Sequence, residues 1–226
     1  MHTLNIALVQ MRCEKGAVDA NLAAIQTHLQ EASSRNTDII CFPEMSITGY
    51  IDPTRQPQAI LRLDGREVAR FVAMTKDTSM TALAGLVEAN PNGKPFITQI
   101  VAREGKLLGY YRKKTIITDE VAWFAPSPTI TTFHHPKATC GLAICADIED
   151  PAIFAENARQ GARIIFEAAA PGLYGEQATR NWQSGFDWWR GECHTKLGQY
   201  ARDQHVYIAV ATQTGRTVDE DFPGGG

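Results

Sequence analysis

Thr139-Cys140-Gly141-Leu142-Ala143-Ile144-Cys145 is an apolar run that stops at a thiol and breaks straight into Ala146-Asp147-Ile148-Glu149-Asp150-Pro151. A strand that ends this way presents its last side chain to a cleft while the sheet holds the backbone rigid. Two charges stand in comparable places. Glu44 follows Ile39-Ile40-Cys41-Phe42-Pro43, and Lys113 follows Leu107-Leu108-Gly109-Tyr110-Tyr111-Arg112. A thiol, a carboxylate and an ammonium, each at the end of its own strand, are the parts of a nucleophilic hydrolase.

Outward from that run, the chain alternates strand and helix. Strands are expected at Ile6–Val9, Ile39–Phe42, Ala82–Glu88, Phe96–Arg103, Leu107–Tyr111, Thr129–Phe133, Thr139–Ile144, Ala162–Phe166 and Val206–Ala211. Val18, Leu22, Ile25, Leu29 and Ala32 fall at helical spacing. Further helices are expected near Arg66–Thr78, after Asp150-Pro151 (an N-cap and a first-turn proline) and over a long stretch ending at Gln204. Asn90-Pro91-Asn92-Gly93 and Glu104-Gly105 are turns that fold the third to fifth strands into an antiparallel meander. The strands are too many for one sheet, and the helices too few to cover two separate ones. The expected class is therefore α/β, with two sheets packed face to face and helices outside. Residues 1–226 read as a single domain, without repeats or a low-complexity linker.

Composition narrows the function. The 226 residues are 44% hydrophobic and 21% charged, with a net charge of -3, ordinary for a globular protein and unsuited to a nucleic-acid surface. No apolar run approaches the roughly 20 residues that span a bilayer. Met1-His2-Thr3-Leu4-Asn5 has no basic segment leading into an apolar one, so no signal peptide is expected. Five scattered cysteines are not a disulfide framework, and a reducing cytoplasm is the expected home.

Three segments carry a family resemblance. Phe42-Pro43-Glu44-Met45-Ser46-Ile47-Thr48-Gly49-Tyr50, Gly109-Tyr110-Tyr111-Arg112-Lys113 and Gly141-Leu142-Ala143-Ile144-Cys145-Ala146-Asp147 resemble, in order and spacing, the signature segments of the nitrilase superfamily of carbon–nitrogen hydrolases. Similarity runs from Ile6 to Ala211. There are departures. The family often has His-Leu soon after the lysine, where Thr115-Ile116 stand here, and an aromatic residue or Asn where Ala146 stands. The resemblance implies a four-layer α-β-β-α sandwich and a homodimer or higher homo-oligomer. It also implies a supporting role for Glu120 in positioning substrate and lysine. Family members usually continue past the place where Phe222-Pro223-Gly224-Gly225-Gly226 ends. The expectation is thus a domain lacking the usual C-terminal strands and tail, less stable than a longer form.

The chemistry assigns roles. Cys145 is the nucleophile, Glu44 the acid and base, and Lys113 the countercharge for a tetrahedral intermediate, assisted by the Ala146 N–H. Taken alone, Cys145 reads as a buried structural thiol, Glu44 as a turn residue and Lys113 as a solvated edge charge; their joint motif context reverses this. Cys13, Cys41, Cys140 and Cys193 keep the structural reading, and Asp147 reads as a structural hydrogen-bonding residue. A hairpin about Pro136 would put His134 and His135 about 20 Å from Cys145, excluding a Cys–His pair. No metal or cofactor motif is present: Cys-x-x-Cys, His-Glu-x-x-His, the P-loop, Gly-x-Ser-x-Gly and the dinucleotide fingerprint are all missing. Trp182, Phe186, Trp188 and Trp189 read mainly as packing. One or two of them are candidates to wall a pocket with Tyr50, Trp123 and Tyr174. The reading that results is a cofactor-free hydrolase of a small amide or N-carbamoyl compound. A nitrile is disfavoured because the Trp-Glu-His run common after the nitrilase cysteine is absent. The rivals are a silent binding or regulatory protein on the same fold and a glutaminase domain feeding a synthetase.

Overall fold

The computed structural model describes residues 3–118 and 120–226. One sheet has the order β1 (Ile6–Leu8), β2 (Ile39–Cys41), β3 (Thr81–Glu88), β4 (Phe96–Arg103), β5 (Lys106–Arg112). Its first three strands are parallel, and β3 to β5 form the expected antiparallel meander. Glu104 and Gly105 both take positive φ, 51° and 71°, as a two-residue hairpin loop with the right twist requires. The other sheet is β6 (Thr132–His135), β7 (Ala138–Ile144), β8 (Ile164–Ala169) and β9 (Tyr207–Thr212), with β6 antiparallel to β7 and the rest parallel.

Alternate residues of each strand enter different apolar layers. Ile39 and Cys41 face the second sheet, where they join Leu142, Ile144, Phe166 and Ala168 in the inter-sheet core. Ile40 and Phe42 face the opposite way, against Leu22, Ile25 and Leu29 of α1 (Val18–Ser34) and Phe71 of α2 (Arg66–Ala73). The short α3 (Glu120–Trp123) follows β5, and its Trp123 packs against the inter-sheet core. On the far side, Ala143, Ile165 and Ala169 pack on α4 (Pro151–Arg159) through Ile153 and Phe154, and on α5 (Trp182–Glu192) through Trp189. A π turn, Cys193–Leu197, joins α5 to α6 (Gly198–Gln204). The central strands β2, β3 and β8 are buried on both faces, so they read as near-continuous apolar runs. The result is the expected four-layer α-β-β-α sandwich.

Boundaries differ where local bonding decides. β6 begins at Thr132 rather than Thr129, because the turn at Pro136-Lys137 pairs His135 with Ala138. β8 starts at Ile164 and reaches Ala169; Ala162 belongs to the exit from α4, its N–H bonded to Asn157 O. α2 stops at Ala73, and Thr75 Oγ1 then bonds back to Val72 O and accepts from Gly105 N. The hairpin β10 (Thr214–Arg216) and β11 (Asp221–Pro223) was not expected from so polar and glycine-rich a segment.

Gly85 matters to the site. A Cβ there would lie 2.3 Å from Met45 N, so only glycine lets the loop carrying Glu44 rest on β3. Gly85→Ala is expected to cost about 1–3 kcal/mol through this overpacking, read by chemical denaturation.

Candidate active site

Three strand ends converge. Beyond β2, Glu44 lies in a loop fixed by Gln99 Nε2 to Phe42 O (3.1 Å), Gln213 Nε2 to Glu44 O (3.0 Å) and Gly85 N to Ser46 Oγ (2.9 Å). Beyond β5, the Lys113 backbone donates to Ile97 O at 2.8 Å and accepts from Ser127 N at 3.0 Å. Beyond β7, Cys145 takes φ of 45°, a left-handed conformation that costs a residue with a Cβ of order 1–3 kcal/mol and is typical of functional turns.

Asp147 locks two of these ends together. Its buried carboxylate accepts from Tyr111 Oη (2.7 Å), Ile144 N (2.9 Å), Thr115 N (2.8 Å) and Lys114 N (3.2 Å). This is the structural role the sequence suggested. Asp147→Ala would strand a phenol and three backbone N–H groups. A loss of about 3 kcal/mol or more is expected in denaturant titrations.

The side chains meet in the interior. Lys113 Nζ lies 2.9 Å from Glu44 Oε1 and 2.7 and 3.0 Å from the two Glu120 oxygens. All three residues are buried. Glu120 also accepts from Tyr50 Oη at 2.5 Å, and Tyr50 reaches Tyr174 Oη at 3.0 Å. Cys145 lies beside the Glu44 carboxyl, whose Oε2 has no hydrogen-bond partner among the described residues. One ammonium between two buried carboxylates cannot satisfy both fully. Burial, assisted by Glu120 and opposed by Lys113, pushes Glu44 up to about 7. Burial works against the Lys113 ammonium, but Glu120 and Glu44 outweigh it and hold the group charged, well above ordinary lysine. Burial, then the Glu44 charge, lifts the Cys145 thiol well above its usual range, so the resting sulfur is a neutral thiol.

Cys145 and Ala146 open onto a cavity of about 510 Å³. Tyr174, Trp188 and Trp189 wall it, and Glu149, Glu192 and Lys196 stand at its rim, Lys196 bonded to both carboxylates. The pocket expectation needs correction. Tyr174 lines the cavity; Tyr50 lies behind it; Trp123 packs against the inter-sheet core and does not line it. Trp188 and Trp189 take the wall instead. Sequence reasoning missed Gln99 and Gln213, which hold the Glu44 loop, because a lone glutamine in a strand carries no pattern.

The chain belongs to the carbon–nitrogen hydrolase family, whose model matches residues 5–225. It is 24% identical to the glutamine-dependent NAD(+) synthetase of Thermotoga maritima, covering 100% of this chain and 38% of that protein. It is 30% identical to the formamidase of Allorhizobium ampelinum, covering 74% of this chain and 52% of that protein. The NitN amidase structure from Nesterenkonia sp. AN1 superposes with a TM-score of 0.82 at 20% identity, covering 97% of this chain and 82% of that one. The chain thus spans about a third to a half of the length of the relatives it matches by sequence.

Proposed function

We propose that this protein hydrolyses a non-peptide C–N bond in a small amide or N-carbamoyl compound through a Cys145 thioester. The observation that carries this reading is the buried Lys113 ammonium 2.9 Å from Glu44 and 2.7 Å from Glu120, with the Cys145 thiol against Glu44 at the floor of an open cavity. Because the resting thiol is neutral, its proton passes to Glu44 as sulfur attacks the carbonyl carbon. Lys113 Nζ and the Ala146 N–H receive the oxyanion. Glu44 returns the proton to the leaving nitrogen, and ammonia or an amine departs. Glu44 then takes a proton from water, the hydroxide cleaves the thioester, and the proton goes back to the sulfur. Glu120 and Tyr50 hold Lys113 in place. Formamidase and amidase relatives support an amide over a nitrile.

The test is ammonia release from short amides, carbamoyl amino acids and nitriles. Turnover of an amide or carbamoyl compound, with nitriles poor, is expected; turnover of nitriles alone would overturn the reading. Since Glu44 must be ionised to accept the thiol proton, kcat/KM should fall as pH drops below about 7. That acid limb should disappear in Glu44→Gln. No step calls for a metal, so EDTA should leave the rate unchanged, and a loss restored by zinc would contradict this chemistry.

Cytoplasmic residence and self-association belong to the same proposal. Among the described residues no helix is long and apolar enough to cross a membrane, and all five cysteines are unpaired thiols. Tyr207 is 77% exposed on an edge strand, an apolar surface suited to a subunit contact. Light scattering checks this directly: a dimer or larger species is expected, and a monomer at micromolar concentration would refute it.

A further inference from the structure

Glu167 sits in the middle of β8, fully buried, and neither of its carboxyl oxygens has a hydrogen-bond partner among the described residues. Buried polar groups are nearly always partnered, so an orphan carboxyl one strand from the nucleophile requires an explanation. Register fixes where it points. Glu167 pairs with Ala143 on β7 and Val210 on β9. Strand alternation puts it on the face of Ile165 and Ala169, towards α5 and the π turn. Cys145 stands two residues beyond Ala143, and its backbone N–H faces the Glu167 carboxyl without closing a hydrogen bond.

The charges around Glu167 come from several elements. Asp147 follows β7, Glu44 follows β2 and Lys113 follows β5; Tyr111 on β5, Cys41 on β2 and Cys193 in the π turn also feel it. Two carboxyls outnumber the one ammonium, which Glu44 and Glu120 already share. Burial first, then Asp147 and Glu44, keep the Glu167 carboxyl far above the ordinary carboxylate range. An uncharged acid can accept from the Cys145 N–H as the turn flexes. An ionised one would set a second negative charge behind the forming thiolate.

We infer that Glu167 is a positioning residue, its carboxyl bracing from behind the sheet the left-handed turn that carries the Cys145 thiol. This rests on Cys145 being the nucleophile. Three consequences follow. Glu167→Gln keeps length and polarity without charge, so kcat should stay within about threefold of the wild type. Glu167→Leu removes the brace. It should lower kcat at least about tenfold with KM little changed, since small misplacements of a reacting group cost up to roughly 10²-fold. At alkaline pH, ionisation of Glu167 should depress both turnover and the rate of Cys145 alkylation in the wild type, but not in Glu167→Gln.

The experiment is a pH series of kcat, KM and iodoacetamide labelling of Cys145, followed by peptide mass spectrometry, on the wild type and both variants. A folded Glu167→Leu with wild-type kcat would overturn the inference. So would a Glu167→Gln as inactive as the Leu variant, because a charge would then be required, or alkaline profiles that coincide in wild type and Gln variant. If Glu167→Leu does not fold, the Gln variant's rate and alkaline profile decide alone. Failure here is distinct from failure of the proposed function. The latter would appear as a Cys145→Ala protein that still turns over substrate.

Discussion

Cys145→Ala abolishes turnover and leaves the fold intact: this is the largest effect expected. The substitution removes one sulfur that lines an open cavity and is only partly buried, so little of its packing against the two core layers it touches is lost. Without a nucleophile no thioester forms, and the residual electrostatic site cannot replace it. The companion measurement is alkylation. Cys13, Cys41 and Cys140 are buried, and burial pushes the Cys140 and Cys193 thiols up to about 12. Burial raises the Cys145 thiol too, but Cys145 alone joins access from the cavity to an adjacent base that can take its proton, so a thiol reagent should label it first. Rapid labelling of Cys193 with Cys145 inert would remove the basis of the assignment.

The second large effect concerns the ion cluster. Glu44→Gln is expected to lower the rate by about 10²–10⁴, the usual contribution of general acid–base catalysis. Lys113→Ala should cost on the order of 10²–10³ through the lost oxyanion charge. The two variants differ in stability. Gln at 44 can still accept from Lys113, whereas Ala at 113 leaves Glu44 and Glu120 buried without their cation. A destabilisation of about 3–5 kcal/mol is expected for Lys113→Ala. Kinetics should therefore be read below its melting transition, with circular dichroism confirming the fold. Near-native turnover in either variant would defeat the assigned roles.

The layers of this fold were legible because strands covered on both faces read as unbroken apolar runs, and Ile39–Phe42 and Cys140–Ile144 do. Glu44 and Cys145 were legible because each follows such a run; Lys113 follows the half-exposed β5 and was legible from its motif context. What brings them together is not written locally. The Asp147 bonds to Tyr111 and Thr115 span more than thirty residues of sequence, and the Gln213 bond to Glu44 O joins opposite ends of the chain. Trp123 was misplaced for a related reason. An aromatic near Glu120 in sequence can turn to either side of a four-residue helix, and this one turns to the core. Glu167 escaped notice because Ile164-Ile165-Phe166-Glu167-Ala168-Ala169 looks like a strand interrupted by a surface charge, and only the structure shows that the carboxyl is buried.

Acid-quench mass spectrometry during turnover of a good amide substrate tests the central claim most directly. The account predicts a substrate-derived acyl group on the peptide containing Cys145, formed at a rate no slower than ammonia release and absent from Cys145→Ala. Ammonia released at full rate with no acyl group on Cys145 at any quench time, together with an active Cys145→Ala protein, would contradict it.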